Sequence, residues 1–281
     1  MANELATILG NSNLVELGLD DDTLAVAGGA VRGNKRISIE GRVFRKIVAG
    51  KEQSVNTNIE MPVIFVKMAH DASRTYYASS YKKGVKIAPT CWSSDSKTPD
   101  ADVPNPPAAA CAECPNSVKG TGQGGQGTAC RLSWRTAVIL PHDPAGDVYQ
   151  LVLPATSAFG KEENGKWPFR PYIQMLANNN VSAGRIITKM QFDVNSSVPR
   201  LLFSPEAAVP AEMRDIVARQ SKSPAAENAV KLTVYKADGG EAEAAPEQQE
   251  NIPAPTVREG TRKAAEKADD VTDIVKKWAK K

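Results

Sequence analysis

The chain has 281 residues, 41% of them hydrophobic, 6% aromatic and 24% charged, which is enough apolar material for a real core and excludes a wholly disordered chain. No run approaches the roughly 18 apolar residues needed to span a bilayer, and the first residues lack a basic start followed by an apolar stretch. Neither membrane insertion nor secretion is therefore expected, and the chain reads as cytoplasmic. With only two histidines, His70 and His142, it has little material for histidine-dependent hydrolysis or a His-rich catalytic metal site.

The formal net charge of +3 conceals a segregation along the chain. Residues 1–31 carry five acids and no base, whereas residues 32–92 carry twelve Lys and Arg against four acids. A segment of that density is expected to face a polyanion, the alternative being a solvated surface. Residues 1–30 read as an irregular or partly helical lead, interrupted at Gly10-Asn11.

From Arg36 to Val48 the sequence alternates. Ile37, Ile39, Val43 and Ile47 fall on one side and Arg36, Arg42, Phe44 and Lys46 on the other, as in a half-buried strand. Cations around one ring suit a phosphate backbone with a base stacked on the Phe, although a charged face can simply be solvated. Met61 to Met68 (MPVIFVKM) reads as a buried strand. After it, Tyr76, Tyr77 and Tyr81 interleave with Arg74, Lys82, Lys83 and Lys86, three tyrosines and four cations within thirteen residues. Stacking contributes about 1–3 kcal/mol per base with little sequence preference, so the cluster suits a single strand, but tyrosines also fill cores.

All four cysteines, Cys91, Cys111, Cys114 and Cys130, lie within residues 89–131, spaced C-x19-C-x2-C-x15-C. A CxxC knuckle lets two thiolates reach one ion from a tight turn, and two more complete a tetrahedral structural zinc site. The Pro-, Gly- and Ala-rich chain between them can bury little apolar area, so a metal would supply the missing folding energy. Two disulfides and a redox CxxC are the alternatives; a reducing cytoplasm disfavours the first, and the second explains neither Cys91 nor Cys130. The glycine-rich KGTGQGGQGT (119–128) lacks the GK[ST] and strand-to-helix setting of a phosphate loop and reads as a wall of this insertion. Four thiolates leave no open coordination position for catalysis.

Arg135 to Leu140 and Val148 to Leu153 form an expected hairpin, which Arg131, Trp134 and Arg135 lead into from the last cysteine as a second aromatic and basic set. Pro171 to Asn178 has helical spacing. Arg185–Val194 and Arg200–Phe203 read as strands, the first with Thr188, Met190 and Phe192 on its dry face. A helix is expected over Glu206–Gln220 and a last strand over Lys231–Tyr235. Residues 237–257 form an acidic, Pro-rich linker, and 258–281 an amphipathic helix with Val271, Ile274, Val275 and Trp278 on one face, for docking on its own domain, another copy or a replication partner.

The segments RISIEGRVFRKIVAGKE, RTYYASSY, PTCWSSDSKTPD, CAECPNS, GQGGQGTACR, TAVILP, VYQLVLPATSAFG and ITKMQFDV together resemble a family of replication-associated proteins of tailed bacteriophages regarded as single-stranded-DNA-binding proteins. The resemblance covers about residues 30–205, and the cysteine and glycine arrangement is its most specific part. It implies a mainly β (β-rich α+β) fold, an OB-like barrel over residues 31–236 with an inserted zinc loop and C-terminal helices, in the host cytoplasm if phage-encoded. Such binders often end in an acidic tail, whereas this chain ends in Lys276, Lys277, Lys280 and Lys281, which puts recruitment through the tail in doubt.

The leading expectation is a non-enzymatic binder of single-stranded DNA, with RNA left open. Arg36, Arg42, Lys46, Arg74, Lys82, Lys83, Arg131 and Arg135 would hold phosphates; Phe44, Tyr76, Tyr77, Tyr81, Trp92 and Trp134 would stack bases. Cys91, Cys111, Cys114 and Cys130 would hold structural Zn2+. The second expectation is a zinc-ribbon interaction protein that binds a polymerase or another replication or transcription factor. A nuclease would need carboxylates clustered on Mg ions; Asp143, Asp147 and Asp193 are available, but no motif joins them.

Overall fold

The computed structural model describes residues 35–79, 87–122, 125 and 127–234. The lead (1–30), Tyr81, Lys82, Lys83, the linker (237–257) and the tail helix (258–281) lie outside the described residues. The fold is mainly β. Its strands are β1 (Arg36–Ser38), β2 (Phe44–Val48), β3 (Lys51–Asn56), β4 (Glu60–Met68), β5 (Ser73–Tyr76), β6 (Cys91–Ser93), β7 (Cys130–Ile139), β8 (Tyr149–Pro154), β9 (Ile186–Phe192) and β10 (Leu201–Ala208). They share one sheet, ordered β10-β9-β4-β7-β8-β1-β2-β3, with β6 on β5 and β5 on β7. The long β7 has two neighbours on one edge, β5 opposite Cys130–Ser133 and β4 opposite Thr136–Ile139. No helix among the described residues is long and apolar enough to cross a membrane.

The sheet is curled, and one aromatic pair shows how far. Phe44 on β2 and Phe192 on β9 are five strand steps apart, about 24 Å on a flat sheet at ~4.8 Å per step. Their ring centroids are 4.6 Å apart. Inside the curl, Ile37, Val63, Phe65, Leu151, Leu153, Met190 and Phe203 pack with Phe169, Tyr172 and Leu176 of a helix, α2 (Phe169–Asn178), that follows the short α1 (Ala155–Ala158). On the opposite face Ile64, Val66, Ala137 and Ile139 pack against α3 (Arg214–Gln220) and α4 (Pro224–Val230) through Val217, Ala226 and Ala229. Alternation puts neighbours of β4 and β7 into different cores, so these strands read as continuous apolar runs.

Within the inner core the Tyr172 hydroxyl shares a 2.8 Å hydrogen bond with Thr188 Oγ1. Burial holds the Tyr172 pKa above its ordinary value of 10.0, against the pull of Thr188. A raised pKa contributes stability that is whole below pH 10 and lost as pH rises through the folded value. Tyr172→Phe, which leaves Thr188 without its partner, is expected to cost about 1–2 kcal/mol at neutral pH, and the gap from wild type should narrow in urea titrations above pH 10. A constant gap would show that folding leaves the hydroxyl's pKa unshifted.

The expected strand over 36–48 is two strands. Gly41 (φ 71°) and Arg42 (φ 58°) turn the chain back, so that β1 and β2 pair antiparallel with Arg36 opposite Ile47. A two-residue turn at Ala49-Gly50, both with positive φ, then adds β3, which sequence reading missed because Ala-Gly replaces the usual Asn-Gly. The expected hairpin of β7 and β8, the strand Met61–Met68, the helix Pro171–Asn178 and the dry face of β9 are all present. The helix expected over Glu206–Gln220 starts only at Arg214, because residues 206–208 finish β10 beyond a bulge at Pro205. At a sheet edge a proline N–H is not missed. No strand forms among Lys231–Val234; the chain has already turned at α4, capped where Ser223 Oγ accepts from Ala226 N at 3.2 Å with Pro224 in the first turn.

Candidate cysteine centre and nucleic-acid interface

Cys91 opens β6 and Cys130 opens β7, and both stand opposite Tyr76 on the β5 between them. Residues directly opposite share a face, so Cys91, Tyr76 and Cys130 line up across three strands. The insertion folds over that face and brings Cys111 and Cys114 to one small pocket with Tyr76, Cys91, Ser117 and Cys130. All four thiols are buried, and none is in a disulfide. Hydrogen bonds stand in for an apolar core here: Cys111 N donates to Lys97 O at 2.8 Å and Ser117 N to Cys114 O at 2.9 Å. Asp95 accepts from Lys97 N, Thr98 N and Ser93 Oγ, which holds its carboxyl below the usual range. Asp100 accepts from Ser94 N and Oγ.

The pocket is electrostatically poised. Burial raises the Cys91 pKa, and Cys111 and Cys114 raise it further. Cys130 is pushed up to about 11 by burial and by the other three thiols, while Arg74 pulls it down. Thiolates that raise one another are stabilised by a shared dication, so the donor set fits zinc. Among the described residues no group of three or more His, Cys, Asp or Glu is drawn together tightly enough to hold an ion.

Several residues expected to touch nucleic acid are placed elsewhere. Phe44 is only 1% exposed and belongs to the inner core. Its assignment to a wet face assumed unbroken alternation, which the turn at Gly41-Arg42 and a bulge after Lys46 both interrupt. Trp92 is 7% exposed, packed with Cys91 and Val103, its Nε1 donating to Asp102 at 3.0 Å. Arg135 is 2% exposed and donates to Ser73 Oγ. Trp134 is half-buried against Phe159 and Phe169, and its Nε1 donates to Ala69 O at 2.8 Å. Arg74 shares the Tyr76 face, donates to Ser117 Oγ at 3.3 Å and acts on Cys130. Its Nε is buried with no partner. Arg74 thus serves the cysteine pocket, and Tyr76 is half-buried in its wall. These roles were legible only once Ser73–Tyr76 was read as a strand with period two.

Two groups keep partial exposure. At the β5–β7 end Tyr77 and Arg131 are half-exposed and electrostatically coupled; burial lowers the Arg131 pKa and Tyr77 opposes that. Beyond β8, Arg36 and Lys46 are half-buried and Arg42 exposed; Lys46 Nζ stands 5.8 Å above the Tyr149 ring and Arg42 donates to Ser196 O. Arg36 registers with Gln150, and Gln150 with Ala137, six residues from Arg131 and so about 20 Å along β7. The two groups do not converge on one point. Part of the basic segment is also neutralised, with Lys35 on Asp147, Arg45 on Glu52 and Lys67 on Glu227. The three aspartates considered for a nuclease are not gathered on an ion: Asp147 faces Lys35 and Asp193 is bound by Arg200 Nη1 at 3.0 Å. Compared with protein-family models, curated proteins and solved structures, the chain matches none.

Proposed function

We propose that this chain is a non-enzymatic binder of single-stranded DNA, built on an OB-like curled sheet whose cysteine insertion is fixed by a structural zinc ion. The observation that supports it most is the end of β5 and β7, where Tyr77 and Arg131 stand together on the face opposite the four-thiol pocket. A ring next to a cation is the minimal unit for stacking a base while holding its phosphate. Arg36 lies on that same face about 20 Å away, a span within the site sizes of about 4–16 nucleotides seen for OB folds. The zinc would be held by Cys91, Cys111, Cys114 and Cys130 and would act by fixing the insertion, with Arg74 offsetting the thiolate charge.

The test is equilibrium binding of labelled oligo-dT and a matched duplex across a salt series. Single-strand binding should be micromolar or tighter and fall steeply with salt, with the duplex much weaker. Tyr77→Ala should weaken the single strand about tenfold at every salt concentration, whereas Arg131→Ala should also flatten the salt slope by about one unit. Equal, weak binding to strand and duplex would overturn the reading in favour of an interaction protein.

A further inference from the structure

Arg74 stands on the floor of the cysteine pocket. It precedes Tyr76 by two residues on β5 and so shares its face, with Ser93 of β6 and Leu132 of β7 directly opposite. Cys91 and Cys130 are the residues opposite Tyr76, which makes both of them diagonal neighbours of Arg74, ~7–8 Å away and within reach of a long side chain. From this floor the guanidinium extends to the insertion, where Nη1 donates to Ser117 Oγ at 3.3 Å, just past Cys114.

Another nitrogen of the same side chain is left over. Arg74 Nε is buried and has no hydrogen-bond partner, a costly state for a charged donor. The residues directly opposite supply no acceptor: the Leu132 side chain has none, and Ser93 turns its hydroxyl to Thr98 O at 2.6 Å and Asp95 at 3.0 Å. What this face does hold is sulfur. The charge of Arg74 acts on Cys130, whereas the charges acting on Cys91 are those of Cys111, Cys114 and Asp100, so Cys130 is the thiol it stands nearer. A neutral thiol is a poor acceptor, but a thiolate held by a dication accepts well from a cationic N–H. An idle donor beside a thiol is therefore the arrangement expected where a sulfur becomes an acceptor only after a metal has displaced its proton.

We propose that Arg74 is a positioning residue for the metal: its Nε–H donates to the Cys130 thiolate once that sulfur ligates zinc, and this bond sets how tightly the four cysteines hold the ion. The role rests on the zinc reading and adds to it a donor, an acceptor and a consequence for affinity. The two nitrogens then do different work, Nη1 tying down the insertion through Ser117 and Nε acting on the ligand.

The full chain is stripped of metal and its zinc affinity is measured by competition with a chromophoric chelator, with cobalt(II) as a spectroscopic probe of the same site. Arg74→Met, which keeps the length of the side chain and removes its donors, should still bind zinc, but about 10- to 100-fold more weakly than wild type. Its thiolate-to-cobalt charge-transfer band should move to lower energy, because a sulfur lone pair relieved of a hydrogen bond is easier to ionise; a merely structural loss leaves that band in place. Ser117→Ala, which cuts only the Nη1 contact, should stay close to wild type in both readouts. Arg74→Lys restores a cation without the Nε–H and should remain several-fold weaker, with the band still shifted. Wild-type affinity in Arg74→Met, full rescue by Arg74→Lys, or a loss in Ser117→Ala as large as that in Arg74→Met overturns the role and leaves the zinc in place. A wild type that binds no metal overturns the role together with the zinc reading. If Arg74→Met fails to fold, Arg74→Lys and Ser117→Ala decide by the same outcomes.

Discussion

Replacing Cys111 and Cys114 together by serine is expected to remove all bound zinc and to lower Tm by about 10 °C or more, at ~2–4 °C per kcal/mol for a domain of this size. The expectation follows from what the insertion lacks. From β6 to the start of β7 the described hydrophobic side chains that are buried are Cys91, Trp92, Val103, Cys111, Cys114 and Cys130, with one small cluster of Cys91, Trp92 and Val103, and turns there are capped by Asp95 and Asp100. Such bonds contribute about 1 kcal/mol each, whereas a structural zinc can supply more than ten in small domains. The inner core is independent of the insertion, so the variant should keep a cooperative transition from the curled sheet while losing protection of amides in residues 91–130. Metal analysis of protein purified without added zinc should give about one zinc per chain for the wild type and none for the variant. A wild type free of metal, with Tm unmoved by a chelator, would sink the zinc proposal. The four buried thiols would then be inert packing.

The strands that carry both cores were legible because their signals are local. β9 shows period two with Thr188, Met190 and Phe192 inward, and β4 shows an apolar run bounded by turns. What was illegible depended on where alternation is reset. Gly41-Arg42 and the bulge after Lys46 change the parity of β2, which is enough to move Phe44 from the wet face to the core. The cysteine spacing announced a common pocket for four thiols, but it did not say that Arg74 and Tyr76 would share that pocket. That follows from pairing between β5, β6 and β7, residues up to 60 positions apart. Arg135 was misread for a related reason. Residue type alone put it with Arg131, whereas register places it beside Ser73, deep in the sheet.

Phe44→Ala should be the most destabilising single substitution at any residue first assigned to nucleic acid, costing about 3–5 kcal/mol by urea unfolding. Phe44 closes the curl: its ring lies at 33° to Phe192, 4.6 Å away, and that contact joins β2 to β9 across the interior of the sheet. Truncation opens a cavity between two strands that no ladder hydrogen bond connects, so little can collapse to fill it. Phe44→Leu should retain most of the stability, since volume and apolarity are largely kept. A double-mutant cycle with Phe192→Ala should return a coupling of about 0.5–1.5 kcal/mol, the usual size for a tilted aromatic pair. The stacking assignment for Phe44 makes the opposite forecast, an unchanged midpoint with weakened oligo-dT binding. Measured on the same preparations, stability lost with affinity retained at temperatures where the variant is folded fixes Phe44 in the core. The reverse would mean that the curl is held without this pair and that the β2 face is open to bases.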